Sequence, residues 1–127
     1  MAYELAIVGG GNMGTALLGG LIARGAADPS DVVIVEPSEA RRAVLANEVP
    51  DIDVAAEPVS CRSAVIAVKP QYVADVVAEV VAEGARRLLS VAAGVATDTI
   101  AAAADAANPA SEAVSVLRAM PNTPALV

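Results

Sequence analysis

The chain has 127 residues, of which 56% are apolar and only two, both Tyr, are aromatic; 8 basic against 15 acidic residues leave a net charge of −7. That length suits one domain with a sizeable core, the composition excludes a disordered chain, and the negative sign disfavours nucleic acid or an anionic membrane as the main partner. With no His and a single Cys, Cys61, the chain has no means to build a His-based triad, a Cys–His nucleophile, a zinc site of the usual ligands or an internal disulfide.

Along the chain, short Val/Ile/Leu runs alternate with Ala-rich stretches. Strands are predicted at residues 4–8, 32–36, 52–55 (a weak one), 64–68, 87–91 and 115–120, and helices at 12–24, 38–47, 71–83 and 97–106. The well-defined strands are continuous apolar runs, as in a parallel sheet covered on both faces. Ser38 and Thr97 are placed to N-cap their helices, and Asp98 favours the positive end of the fourth helix. Gly25 and Gly84 are placed to close the first and third helices in a left-handed turn, and Asn108-Pro109 ends the fourth. This alternation predicts βαβ units and an α/β fold, one domain over residues 1–127. No basic, apolar leader opens the chain, and no window approaches the length of a membrane helix, so a cytoplasmic protein is expected.

One turn carries chemistry. Gly9-Gly10-Gly11-Asn12-Met13-Gly14 is G-x-G-x-x-G set between the first strand and the first helix. In this pattern Gly9 makes a tight turn, Gly11 clears a Cβ from the path of a pyrophosphate, and Gly14 lets helix and strand touch. The N–H groups of Asn12 and Met13 and the positive helix end then hold phosphates without a basic side chain. Glu36 closes the second strand, 22 residues beyond Gly14. A carboxylate there accepts the ribose hydroxyls of NAD and repels the 2′-phosphate of NADP. Ser38, Arg41 and Arg42 follow closely, and a guanidinium can clamp that phosphate. The residues leave the choice open, with Glu36 alone favouring NAD.

In a parallel sheet all strands end on one edge, where ligands bind. Three further loops fall there: Lys69-Pro70-Gln71, Ala92-Ala93-Gly94 and Pro121-Asn122-Thr123-Pro124. Each has a plain structural reading too, as a solvated lysine, a turn glycine and a turn former between prolines. Their common edge is what joins them to the glycine turn.

Val8-Gly9-Gly10-Gly11-Asn12-Met13-Gly14, Ala67-Val68-Lys69-Pro70, Ser90-Val91-Ala92-Ala93-Gly94-Val95 and Arg118-Ala119-Met120-Pro121-Asn122-Thr123-Pro124-Ala125-Leu126-Val127 together resemble pyrroline-5-carboxylate reductase. The first block is shared by many dinucleotide enzymes; the last is close to a signature of that family. The resemblance implies a Rossmann-like doubly wound parallel sheet. It also implies hydride transfer from NADP(H), and in some members NAD(H), to the C=N carbon of 1-pyrroline-5-carboxylate, giving L-proline. By the same resemblance, Gly9, Gly11, Asn12, Met13 and Gly14 take the pyrophosphate, Glu36 and Ser38 face the adenosine ribose, and the segments Val68-Lys69-Pro70, Ala92-Ala93-Gly94 and Met120-Pro121-Asn122 line the ribose and nicotinamide. Family members continue into a helical domain that pairs subunits and supplies most of the imino-acid pocket. These 127 residues are therefore expected to bind cofactor without turnover, the whole protein being a homo-oligomer. No catalytic proton donor is identifiable in the sequence. The competing readings are a β-hydroxyacid dehydrogenase type or deazaflavin-linked NADP reductase of the same architecture, and a nucleotide-binding module without activity.

Overall fold

The structure, a computed structural model, describes residues 2–108 and 112–119. Six strands, β1 (Tyr3–Val8), β2 (Val32–Val35), β3 (Asp53–Ala55), β4 (Cys61–Ile66), β5 (Arg87–Ser90) and β6 (Ser115–Arg118), form one sheet in the order β3-β2-β1-β4-β5-β6. Every neighbouring pair is parallel. Helices α1 (Asn12–Ala23), α2 (Glu39–Glu48), α3 (Val73–Ala82) and α4 (Thr97–Ala107) connect them.

The apolar runs divide their side chains between two layers because successive residues of a strand point to opposite faces. Ala6, Val8, Val33, Val35, Ala64 and Ile66 pack with Val73, Val77, Val80 and Val81 of α3 and Ile100 and Ala104 of α4. Ile7, Val32, Ile34 and Val65 pack instead with Leu18 of α1 and Leu45 of α2. Both faces are thus covered, and this is why the strands show no polar alternation. Among the described residues the buried apolar core is aliphatic apart from Cys61, in keeping with a composition of only two aromatic residues.

Most ends fall where the sequence puts them. Gly25 and Gly84 take positive φ (70° and 110°) after α1 and α3, and the Ser38 hydroxyl accepts the N–H of Arg41 at 3.2 Å to cap α2. Thr97 does not cap α4. Ala96 occupies that position without a side-chain bond, and Thr97 is the first helical residue, with Asp98 in the first turn as expected. Strand β4 begins three residues before the predicted 64, because Cys61 and Ser63 pair with Tyr3 and Leu5 of β1. The polar residues Arg62 and Ser63 lie at the entrance of a central strand, where a search for unbroken apolar runs excludes them. A 3-10 turn, Pro70–Tyr72, precedes α3 and puts Pro70 at a first helical position.

Strand order reverses between β1 and β4: β2 and β3 continue on one side of β1, and β4, β5 and β6 on the other. The loops leaving β1 and β4 therefore part from each other at the carboxyl edge, opening the crevice that such sheets use for ligands.

Candidate dinucleotide site

The glycine turn sits at that crevice. Gly9, at φ 108°, directs its N–H to the Val35 carbonyl at 2.9 Å, while the Ala67 N–H reaches the Val8 carbonyl at 2.8 Å. These two bonds tie the ends of β1, β2 and β4 together. A Cβ on Gly9 would lie 2.5 Å from the Ala67 carbonyl oxygen, and one on Gly14 would overlap the Gly9 carbonyl oxygen. Both glycines thus serve close backbone approach, Gly14 at the contact of α1 with β1. Gly11 differs: a Cβ there meets nothing within 4 Å. It is the N-cap of α1, and the first bond of the helical ladder runs from the Thr15 N–H to the Gly11 carbonyl at 3.0 Å. The N–H groups of Asn12, Met13 and Gly14 precede that bond, the free donors of any helix start. Asn12 is exposed and Met13 half-buried.

Glu36 is the second element of the site. Its Oε1 accepts the Gly10 N–H at 2.9 Å and its Oε2 accepts the Ser38 N–H at 2.9 Å. The Arg41 Nε donates to the Gly10 carbonyl. Arg42 donates to the Glu36 carbonyl at 3.0 Å and the Pro37 carbonyl at 2.8 Å. Gly10, the unassigned x of the motif, is therefore held at its N–H by Glu36 in the loop after β2 and at its C=O by Arg41 of α2. It has no room for a side chain either, since a Cβ would lie 2.6 Å from Leu45.

Between the ends of β1 and β2 and helix α3 lies a cleft of about 470 Å³. Val8, Gly9, Val35, Pro37, Val68, Tyr72 and Val76 line it, with Ala56 and Pro58, and the carboxylates of Glu57, Asp75 and Glu79 stand among them. Tyr72 is 55% exposed at this cleft, whereas the other tyrosine, Tyr3, is half-buried. Periodicity assigns Tyr72 only to a helix start, because its neighbours in the cleft come from distant segments. Lys69 and Pro70 are exposed at the rim, with Lys69 ahead of the 3-10 turn. Ala92 is buried, Ala93 and Gly94 are exposed, and Gly94 has φ 76°. The buried Ser90 hydroxyl accepts the Ala92 N–H at 3.3 Å and shapes that loop. Met120, Pro121 and Asn122 lie outside the described residues.

Cys61 is buried at the start of β4, away from this edge. Burial, with a smaller contribution from the charge of Glu83, raises its thiol from 9.0 to about 11. The folded state thus keeps a proton that the unfolded chain loses first, so stability falls as pH rises from 9.0 towards about 11. Iodoacetamide at pH 8 is expected to leave the native chain unlabelled and to label it readily in denaturant; rapid native labelling would contradict this environment. Among the described residues, no cluster of His, Cys, Asp and Glu could hold a metal, and no helix is long and apolar enough to cross a membrane.

The profile of a family described as NADP oxidoreductase, coenzyme F420-dependent, matches residues 4–94. The chain is 37% identical to the pyrroline-5-carboxylate reductase of Haemophilus influenzae over 97% of its length, and 37% identical to that of Escherichia coli over all of it. A reductase of the same name from Synechocystis is 38% identical over the whole chain. The chain spans about half the length of these relatives, 44%, 47% and 46% respectively. Among solved structures it resembles a Plasmodium falciparum pyrroline carboxylate reductase with NADP bound, with a TM-score of 0.68 and 20% identity. That match covers 98% of this chain and 44% of the other. A conserved protein from Sinorhizobium meliloti matches with a TM-score of 0.70 at 20% identity, again over 98% and 44%. At that identity, the two structures bear out the Rossmann-like fold.

Proposed function

Because this chain belongs to the NADP oxidoreductase, coenzyme F420-dependent family, we propose that it is the dinucleotide-binding part of a pyrroline-5-carboxylate reductase. Two matches favour this reading over a deazaflavin-linked enzyme. The family profile matches residues 4–94 and stops at the loop after β5. The likeness to the reductases of Escherichia coli and Synechocystis runs through the whole chain, including the segment from Arg118 to Val127.

The observation that carries the proposal is the open space over Gly11 beside three helix-start N–H groups. A diphosphate needs such a place: room for two tetrahedral groups, amide donors, and the positive end of a helix dipole. Gly9 and Gly14 set the height of the turn, and Glu36 meets the adenosine ribose. The cleft beyond it, apolar walls with Tyr72 at the mouth, suits the adenine ring. Val68, Lys69 and Pro70 and the Ala92-Ala93-Gly94 loop continue the same edge towards the nicotinamide. When bound, the reduced nicotinamide supplies a hydride to the C=N carbon of 1-pyrroline-5-carboxylate. This chain's share is to fix the cofactor's position and exposed face, which is most of what hydride transfer asks of a protein. We assign the imino-acid pocket, the proton source and subunit pairing to regions of the protein other than these residues.

The test is reduction of 1-pyrroline-5-carboxylate by the full protein, followed as loss of nicotinamide absorbance. Proline-forming turnover is the expected result. Cofactor binding with no turnover of this substrate would refute the substrate and leave the site standing.

A further inference from the structure

We propose that this site selects NAD(H) over NADP(H), and that Glu36 is the specificity-determining residue. The inference deepens the cofactor-binding reading above and rests on it. It runs against the cofactor in the family's description, which makes it worth separate proof.

A carboxylate at the end of β2 discriminates only if it stays where a 2′-phosphate would come. A flexible one swings away. Here the Glu36 carboxylate is tied at both oxygens to main-chain donors, Gly10 N–H and Ser38 N–H, each at 2.9 Å. It is half-buried against a turn whose own position is set by the sheet. Moving it leaves two main-chain amides without an acceptor, which resists the movement. Two N–H bonds leave lone pairs on both oxygens, enough to accept ribose hydroxyls.

The cations that would welcome a 2′-phosphate are already held in place. Arg42 donates through Nη1 to the carbonyls of Glu36 and Pro37, and Arg41 donates to the Gly10 carbonyl and faces Glu48 at 3.7 Å. Turning either guanidinium fully towards a phosphate would give up these bonds. The adjoining cleft adds three more carboxylates, Glu57, Asp75 and Glu79, and Lys69 is the cation nearest its rim in sequence. An added phosphate dianion would enter a negative field.

The experiment compares NADH with NADPH, and ADP with adenosine 2′,5′-bisphosphate, by titration of the full protein. The second pair carries the ribose difference without the nicotinamide. NADH and ADP are expected to bind at least about tenfold more tightly than their 2′-phosphorylated counterparts. Glu36→Gln, which removes the charge and keeps one amide acceptor, is expected to shrink that ratio tenfold or more. Equal or tighter binding of the phosphorylated member of each pair in the parent overturns the inference while upholding the site. Binding of none of the four overturns the site itself. A Glu36→Gln protein that binds with the parent's ratio overturns the role of Glu36; if that variant fails to fold, the parent's two ratios still decide.

Discussion

Gly11→Val is expected to melt close to the parent and to bind dinucleotide at least about a hundredfold more weakly, a loss of roughly 2.7 kcal/mol. The two halves of that result come from different physics. Gly11 has φ −78° and ψ −172°, extended backbone that any residue adopts, and a Cβ there meets no neighbour within 4 Å. Folding therefore loses little, about 1 kcal/mol or less for exchanging a glycine N-cap. The emptiness that makes the substitution harmless to the fold is the room a diphosphate requires, and two branched methyl groups would stand across the N–H groups of Asn12 and Met13. Differential scanning calorimetry and nicotinamide fluorescence separate the two. An affinity equal to the parent's would remove the diphosphate from this turn.

The companion prediction has the opposite signature. Gly14→Ala is expected to destabilise the fold by about 3 kcal/mol, roughly 10 °C in melting temperature for a domain of this size. Its Cβ would fall on the Gly9 carbonyl oxygen and 3.1 Å from Cγ2 of the fully buried Ile7. One obstacle is main chain and the other is a core side chain, so neither can rotate aside. Only displacement of α1 from β1 relieves the overlap, and that separates Leu18 from the layer it shares with Ile7 and Ile34. Urea denaturation should show a lower midpoint at unchanged slope. A midpoint equal to the parent's would refute the close contact of this helix with its strand.

These variants also mark what a reader of the bare sequence can and cannot recover. The close backbone approach at Gly9 and Gly14 is legible because each follows from the local geometry of one strand–turn–helix unit. The order of strands and helices was legible for the same reason: continuous apolar runs leave few arrangements other than a sheet covered twice. The early start of β4 was not, because Arg62 and Ser63 join the strand through pairing with β1 rather than through apolar content. Nor was the tie between Glu36 and Gly10, residues 26 apart that meet only after β1 and β2 align. Arg41 and Arg42 were readable as phosphate clamps from spacing alone; their engagement with backbone carbonyls is a three-dimensional fact. The cleft beside Tyr72 was hidden likewise, its walls being drawn from segments scattered between Val8 and Glu79.

Because Gly10 is gripped through its N–H by Glu36 and through its C=O by Arg41, the turn has surrendered its freedom before any guest arrives. The entropy of ordering is charged to folding, so association need not bear it a second time. Capture should then be a docking event with little loop rearrangement, and residence time rather than arrival should set how tightly different guests are kept.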